Sequence, residues 1–151
     1  MPKTSGHKSN SPEYLNSIET SLTKVNIRND GVIEIRFKMD DYEVGVEDQI
    51  EIQDALVKLT ENDEKKYHLM VIPGKYGGIT KEAREKEMFA NSAFQKQLSL
   101  AIVVQAMHQW IIGNLYLKLK QTKPDYPNKL FNTEEAAEKW ILKLKKDKNK
   151  L

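Results

Sequence analysis

The chain has no cysteine. Disulfides, thiolate nucleophiles and cysteine-ligated metals are therefore excluded, and a reducing cytoplasm is the expected location. Histidine is scarce, limited to His7, His68 and His108. One lies in a polar lead, one opens an apolar run and one opens a helical segment, so no element carries metal-ligand spacing. No metal or cofactor is expected. A long uninterrupted apolar run is also missing. Gln97 to Leu117 carries no Asp, Glu, Lys or Arg, but Gln105, His108, Gln109 and Asn114 interrupt it. Unpaired polar groups of that kind are costly in hydrocarbon. The run is read as a strand followed by a helix, with no membrane span. Residues 1–12 lack the apolar core of a secretory signal and read as a disordered lead.

A large charge of one sign is absent as well. The 24 basic and 22 acidic side chains leave +2. The excess is local: Lys143 to Leu151 holds five lysines and one aspartate. A basic tail on a mildly acidic body is not the footprint of a nucleic-acid-binding domain. Its lysines suit the negative end of a helix dipole. Nucleotide-binding signatures are missing too. Gly74-Lys75-Tyr76-Gly77-Gly78 is not followed by Gly-Lys-Ser/Thr and does not make a dinucleotide fingerprint. No Ser-His-Asp pattern sits in a recognisable elbow. Asp40-Asp41 and Glu134-Glu135 fit a loop and a helix start. An enzyme is not expected.

What is present is periodicity. Ser21 to Arg28 and Val32 to Phe37 alternate with period two around Asn29-Asp30-Gly31, a hairpin signal. Asp40 to Gly45 reads as a loop. Val46 to Asn62 shifts to helical spacing, with Ile50, Ala55, Leu56 and Leu59 on one face, Ile52 at its edge, and Gln53, Asp54 and Lys58 opposite. Tyr67 to Ile72 is a continuous apolar run, as in a buried parallel strand, and Pro73 stops it. Gly74 to Gly78 reads as a flexible loop at that strand's end. Thr80 can cap a helix from Lys81 to Phe94. Leu98 to Gln105 is a buried strand and Ala106 to Gln121 a helix, which Pro124 and Pro127 prevent from continuing. Lys129 to Phe131 is a short last strand. Asn132 or Thr133 caps a final helix with Ala136, Ala137, Trp140, Ile141 and Leu144 on its apolar side. The order β-β-α-β-α-β-α-β-α predicts one α/β domain. Its sheet is five-stranded, mixed and mostly parallel, with four main helices and right-handed crossovers. Trp140 is expected to be largely buried against the sheet, together with Ile141 or Ala137.

Several motifs resemble the STAS family, the small α/β domain of sulfate-transporter tails and anti-sigma factor antagonists. They are Ala101-Ile102-Val103-Val104, then Asn114-Leu115-Tyr116-Leu117, then Tyr126-Pro127, and Phe131-Asn132-Thr133-Glu134-Glu135-Ala136 with Trp140. The nearest branch is a set of uncharacterised bacterial single-domain proteins. The resemblance implies a STAS-like domain over residues 13–146, followed by a basic tail at 147–151. It also implies a cytoplasmic, non-enzymatic regulatory or protein-interaction role with an unknown protein partner, and is compatible with a homodimer. Anti-sigma antagonists carry an Asp-Ser-Ser-Gly-like run at the start of the second helix. Here that place reads Pro73-Gly74-Lys75-Tyr76-Gly77-Gly78-Ile79-Thr80, with no serine, and Thr80 is its only aliphatic hydroxyl.

The candidate partner-binding residues are Gly74, Lys75, Tyr76, Gly77, Gly78 and Thr80, expected as an exposed surface at a strand's C-terminal end. A phosphorylation switch at Thr80 competes with its plain role as a cap. The alternative function is a small-ligand or lipid carrier of CRAL-TRIO-like type, with an apolar cavity beside Trp110 and Tyr116. Trp110, Tyr116, Phe89 and Met88 otherwise read as core.

Overall fold

Asn29-Asp30-Gly31 turns as its composition suggests. Gly31 sits at φ 86°, a left-handed conformation that glycine adopts without steric cost. There β2 (Thr23–Arg28) folds back into β3 (Val32–Phe37) as an antiparallel hairpin. The structure, a computed structural model, describes residues 12–85, 94–104 and 125–149. From β3 the sheet continues in parallel through β5 (Tyr67–Ile72), β7 (Gln97–Val103) and β8 (Asn128–Phe131).

Two departures from expectation concern strands. β1 (Tyr14–Glu19) pairs antiparallel with β2 and makes the main sheet six-stranded, in the order β1-β2-β3-β5-β7-β8. A bulge between Tyr14 and Asn16 breaks its alternation, and its residues are mostly exposed, so no period-two signal survives in the sequence. The second departure is a separate two-stranded sheet of β4 (Asp41–Val44) and β6 (Tyr76–Ile79). β1 is also an edge that protects itself. Besides the bulge, the Ser17 N–H donates to its neighbour Asn16 Oδ1 at 2.9 Å, which occupies a donor that another strand would otherwise pair with.

Three helices occur among the described residues: α1 (Val46–Thr60), α2 (Lys81–Glu85) and α3 (Glu134–Asn149). The expected helix from Ala106 to Gln121, and all but the last residue of the Lys81–Phe94 helix beyond Glu85, lie outside the described residues. So do Met88, Phe89, Trp110 and Tyr116. Gln97–Val103, the start of the uncharged run, forms a strand, and among the described residues no helix is long and apolar enough to cross a membrane.

Each sheet face has its own core. Val25, Ile27, Ile33, Ile35, Leu69 and Leu100 cluster with Ile52, Ala55 and Leu56 of α1. On the opposite face Val32, Met70, Ile72, Ala101 and Val103 cluster with Ala137 and Ile141 of α3. The phase of α1 differs from the reading of its sequence. Ile52 is fully buried and Gln53 is buried, while Ile50 is 54% exposed. Trp140 packs against this second cluster as expected, partly buried and tilted over Phe131 with ring centroids 5.3 Å apart. Ala137, three residues before it, and Ile141, the next residue, take the fully interior positions.

The parallel strands β3, β5, β7 and β8 are laid down in one direction across the sheet. A doubly wound sheet opens its ligand crevice where the strand order reverses. The described strands contain no such reversal.

Candidate functional site

The residues singled out at the end of β5 form a ledge. Its basis is Tyr42, whose ring stacks on Phe37 with centroids 4.6 Å apart and planes 9° from parallel. The Gly74 N–H donates to the Tyr42 hydroxyl at 3.0 Å. Burial pushes the Tyr42 hydroxyl pKa up to about 12, against a smaller opposing pull from the Gly74 hydrogen bond. Two glycines make this packing possible. A Cβ at Gly77 would overlap the Tyr42 hydroxyl, and a Cβ at Gly74 would overlap the Met39 carbonyl oxygen. The glycines are thus required by close approach of an aromatic ring to backbone.

This corrects the expectation of a flexible, exposed loop. Tyr76 to Ile79 is strand β6, paired in parallel with β4 through Asp41–Tyr76, Tyr42–Gly77, Glu43–Gly78 and Val44–Ile79. The Tyr76 N–H donates to the Asp40 carbonyl at 2.7 Å and the Thr80 N–H to the Val44 carbonyl at 2.9 Å. Gly74 and Gly77 are buried, Gly78 and Thr80 are intermediate, and only Lys75 and Tyr76 are exposed. Thr80 caps α2 as its position suggests: its Oγ1 accepts the Ala83 N–H at 3.0 Å. The segment Asp40 to Gly45, read as a loop, supplies β4. Its alternation of Asp41, Tyr42, Glu43 and Val44 was the available signal.

A second constellation was not anticipated. Arg28, on β2, is 3% exposed. Its Nε donates to Asp30 Oδ1 at 3.0 Å, and its Nη1 reaches Glu34 Oε2 at 3.2 Å and Glu138 Oε2 at 2.8 Å. Its Nη2 donates to Asp30 and to Glu138 Oε1. Next to it, Arg36 binds Glu134 through two parallel hydrogen bonds of 3.1 and 2.9 Å. The Tyr14 hydroxyl donates to Glu34 Oε1 at 2.7 Å. Burial disfavours the Arg28 charge, but the hydrogen bonds it donates to Glu138 and Asp30 outweigh that and raise its pKa. Burial likewise opposes ionisation of Asp30, yet Arg28 holds that carboxyl below its ordinary value. The Arg36 hydrogen bonds hold Glu134 below its own.

Beside this network lies a cleft of about 320 Å³, lined in part by Arg28, Asp30, Val32, Glu138, Ile141 and Lys145. The donors of Arg28 are already committed to carboxylates, so the arrangement clamps α3 to the hairpin and does not present a vacant anion site. The sequence signal was the placement of Glu34 and Arg36 inside β3, whose other residues are apolar. Of the histidines, only His68 falls among the described residues. It is buried, with Nδ1 2.7 Å from Ser99 Oγ.

Fold and site together define a mixed-sheet α/β domain. Its α3 helix is locked to the β2–β3 hairpin by arginine–carboxylate clamps, and it carries a glycine-built ledge at the end of a parallel strand. Residues 25–145 match the family described as a domain of unknown function, DUF7793, and the chain belongs to that family. No curated protein and no solved structure matches it.

Proposed function

We propose that the protein is a non-enzymatic, STAS-like interaction or regulatory domain, working in the cytoplasm on a protein partner that docks on the ledge from Gly74 to Thr80. The observation that carries this is Tyr76. It is 58% exposed and stands on backbone fixed by β4 and by the Tyr42 packing. A large aromatic presented on a rigid support loses little entropy on binding and makes an effective anchor.

The carrier alternative needs a cavity beside Trp110 and Tyr116, which lie outside the described residues. The cleft beside Arg28 does not suit a lipid, since charged groups line it. Partner capture tests the proposal. The full chain is immobilised, exposed to extract of its native cell, and compared with Tyr76→Ala after circular dichroism has established that both are folded. Loss of specific partners with the variant is the expected result. Full retention of every partner moves the site away from the ledge.

A further inference from the structure

We infer that copies of this chain associate head to tail, the exposed apolar side of α1 on one copy seating beside α3 in the cleft of the next. The inference is independent of the ledge and of whatever docks there.

The outer side of α1 is not uniformly polar. Ile52, Ala55 and Leu56 are buried against the sheet, but Ile50 is 54% and Val57 37% exposed. These two are seven residues apart, so they project from one side of the helix, two turns from each other. Exposed Glu47, Glu51 and Asp54 surround them. The outer side of α3 carries the opposite charge. Lys139, Leu142, Lys143 and Lys146 follow the spacing of one helical stripe, and all four are exposed.

The stripe on α3 also borders a hollow. Leu142 lines the cleft of about 320 Å³ together with Val32 and Ile141, which are 1% and 2% exposed. The charged groups in that lining are satisfied, since Arg28 binds both Asp30 and Glu138. Such a hollow is short for a lipid tail and admits a single aliphatic side chain. Ile50 supplies one, on a helix whose charge complements the lysines at the rim.

Charge left unpaired on each helix selects the orientation. Lys58 pairs with Glu61 at 3.5 Å, and Lys139 with Glu135 at 3.2 Å. Glu47, Asp54, Lys143 and Lys146 have no ion pair among the described residues. With Leu142 set between Ile50 and Val57, antiparallel packing brings Lys143 beside Asp54 and Lys146 toward Glu47 and Glu51. It also turns Glu135 toward Lys58 and opposes the helix dipoles. Parallel packing instead sets Glu135 against Glu47. The two helices lie on opposite faces of the sheet. A two-fold dimer needs both halves of its contact on one surface, so this contact is heterologous and repeats from copy to copy.

The test is sedimentation of the full chain from about 1 μM to about 1 mM, the range in which weak protein contacts form. The average mass should rise with concentration and pass that of two copies. Ile50→Lys spoils the projecting side chain and Leu142→Gln the hollow. Both positions are exposed, so both variants should keep the natural circular dichroism spectrum. Each alone should weaken association at least about tenfold, the scale of one aliphatic anchor. Mixed together, they should form a one-to-one pair of natural affinity and nothing larger, because each supplies the half that the other lacks. A chain that stays monomeric throughout, growth that stops at two copies, natural association by either variant, or a mixture that does not pair overturns the inference. If the monomer persists while the chain binds vesicles containing phosphatidylserine, an anionic surface takes the lysine stripe and the inference falls.

Discussion

Replacing Arg28 by methionine isolates the contribution of the buried clamp. The side chain keeps its approximate length and loses its charge. Three carboxylates lose a partner, but they are not equivalent. The Asp30 and Glu138 side chains are 32% and 39% exposed and can rehydrate. The Glu34 side chain is 5% exposed. Its Oε1 keeps the Tyr14 hydroxyl at 2.7 Å, the Asn26 amide at 3.5 Å and an Arg36 contact at 3.5 Å. Its buried Oε2 loses the Arg28 donor, and breaking a buried pair in this way costs about 3–5 kcal/mol. The remaining Tyr14 and Arg36 contacts place the expectation at the low end, about 3 kcal/mol. With a urea slope of roughly 2 kcal/mol/M the midpoint falls by about 1.5 M. The assay is urea unfolding at pH 7 followed by far-ultraviolet circular dichroism. The companion variant Arg28→Met/Glu34→Leu removes both charges and should recover most of the loss, because an apolar pair of similar volume is often neutral in such a site. A loss below about 1 kcal/mol in the single variant, or a double variant no more stable than the single, refutes the assignment of an unpaired Glu34 Oε2.

The two ledge glycines should separate cleanly: Gly77→Ala destabilises by about 1–3 kcal/mol through overlap with the Tyr42 hydroxyl, whereas Gly78→Ala stays within about 0.5 kcal/mol, both read from urea midpoints. Trp140→Ala should cost about 2 kcal/mol, below the range for a fully buried tryptophan, because its ring is half-buried over Phe131. Acid titration tests the outer clamp. Arg36 holds the folded-state Glu134 carboxyl below its ordinary value, so that stabilisation is complete above the ordinary carboxylate range and is lost as pH falls through the depressed value. Arg36→Gln should thus lower the urea midpoint at neutral pH, and the difference from the natural protein should shrink in acid; a difference that is constant with pH assigns the effect to packing instead.

The hairpin, the parallel strands and both threonine caps, Thr80 accepting the Ala83 N–H and Thr133 the Ala136 N–H, were legible because each is encoded locally. Asp30-Gly31 sets one turn, continuous apolar runs set β5 and β7, and a hydroxyl precedes an acidic first turn at α2 and α3. The missed elements depend on partners distant in the chain. β1 carries a bulge and its residues are mostly exposed, so it acquires strand character only from β2. β4 and β6 are four residues each, and neither is persuasive until Tyr42 is seen lying across Gly77. The same distance explains the site. Glycines that suggested mobility in sequence serve close packing in space. The clamp joins Arg28 to Glu138, and nothing local links two such charges. The half-burial of Trp140 reflects helix phase: Ala137 and Ile141 occupy the inward stripe, and a ring of that size is left at its margin.

The clamps also set an order for the making of the molecule. Arg28 and Glu138 are separated by 110 residues, and Arg36 and Glu134 by 98. During synthesis the hairpin leaves the ribosome long before α3 does. Through that interval Arg28 lacks one of its carboxylates, and the sheet face bearing Met70, Ile72, Ala101 and Val103 lacks its helix. Closing so long a loop adds little entropy cost beyond that of a loop half its size, yet it cannot begin until α3 exists. Until then the Ala137 and Ile141 side of that core is missing, and the apolar side chains it covers are open to chaperones and proteases. The last helix seals the domain, and the arginine–carboxylate pairs fix where it lands.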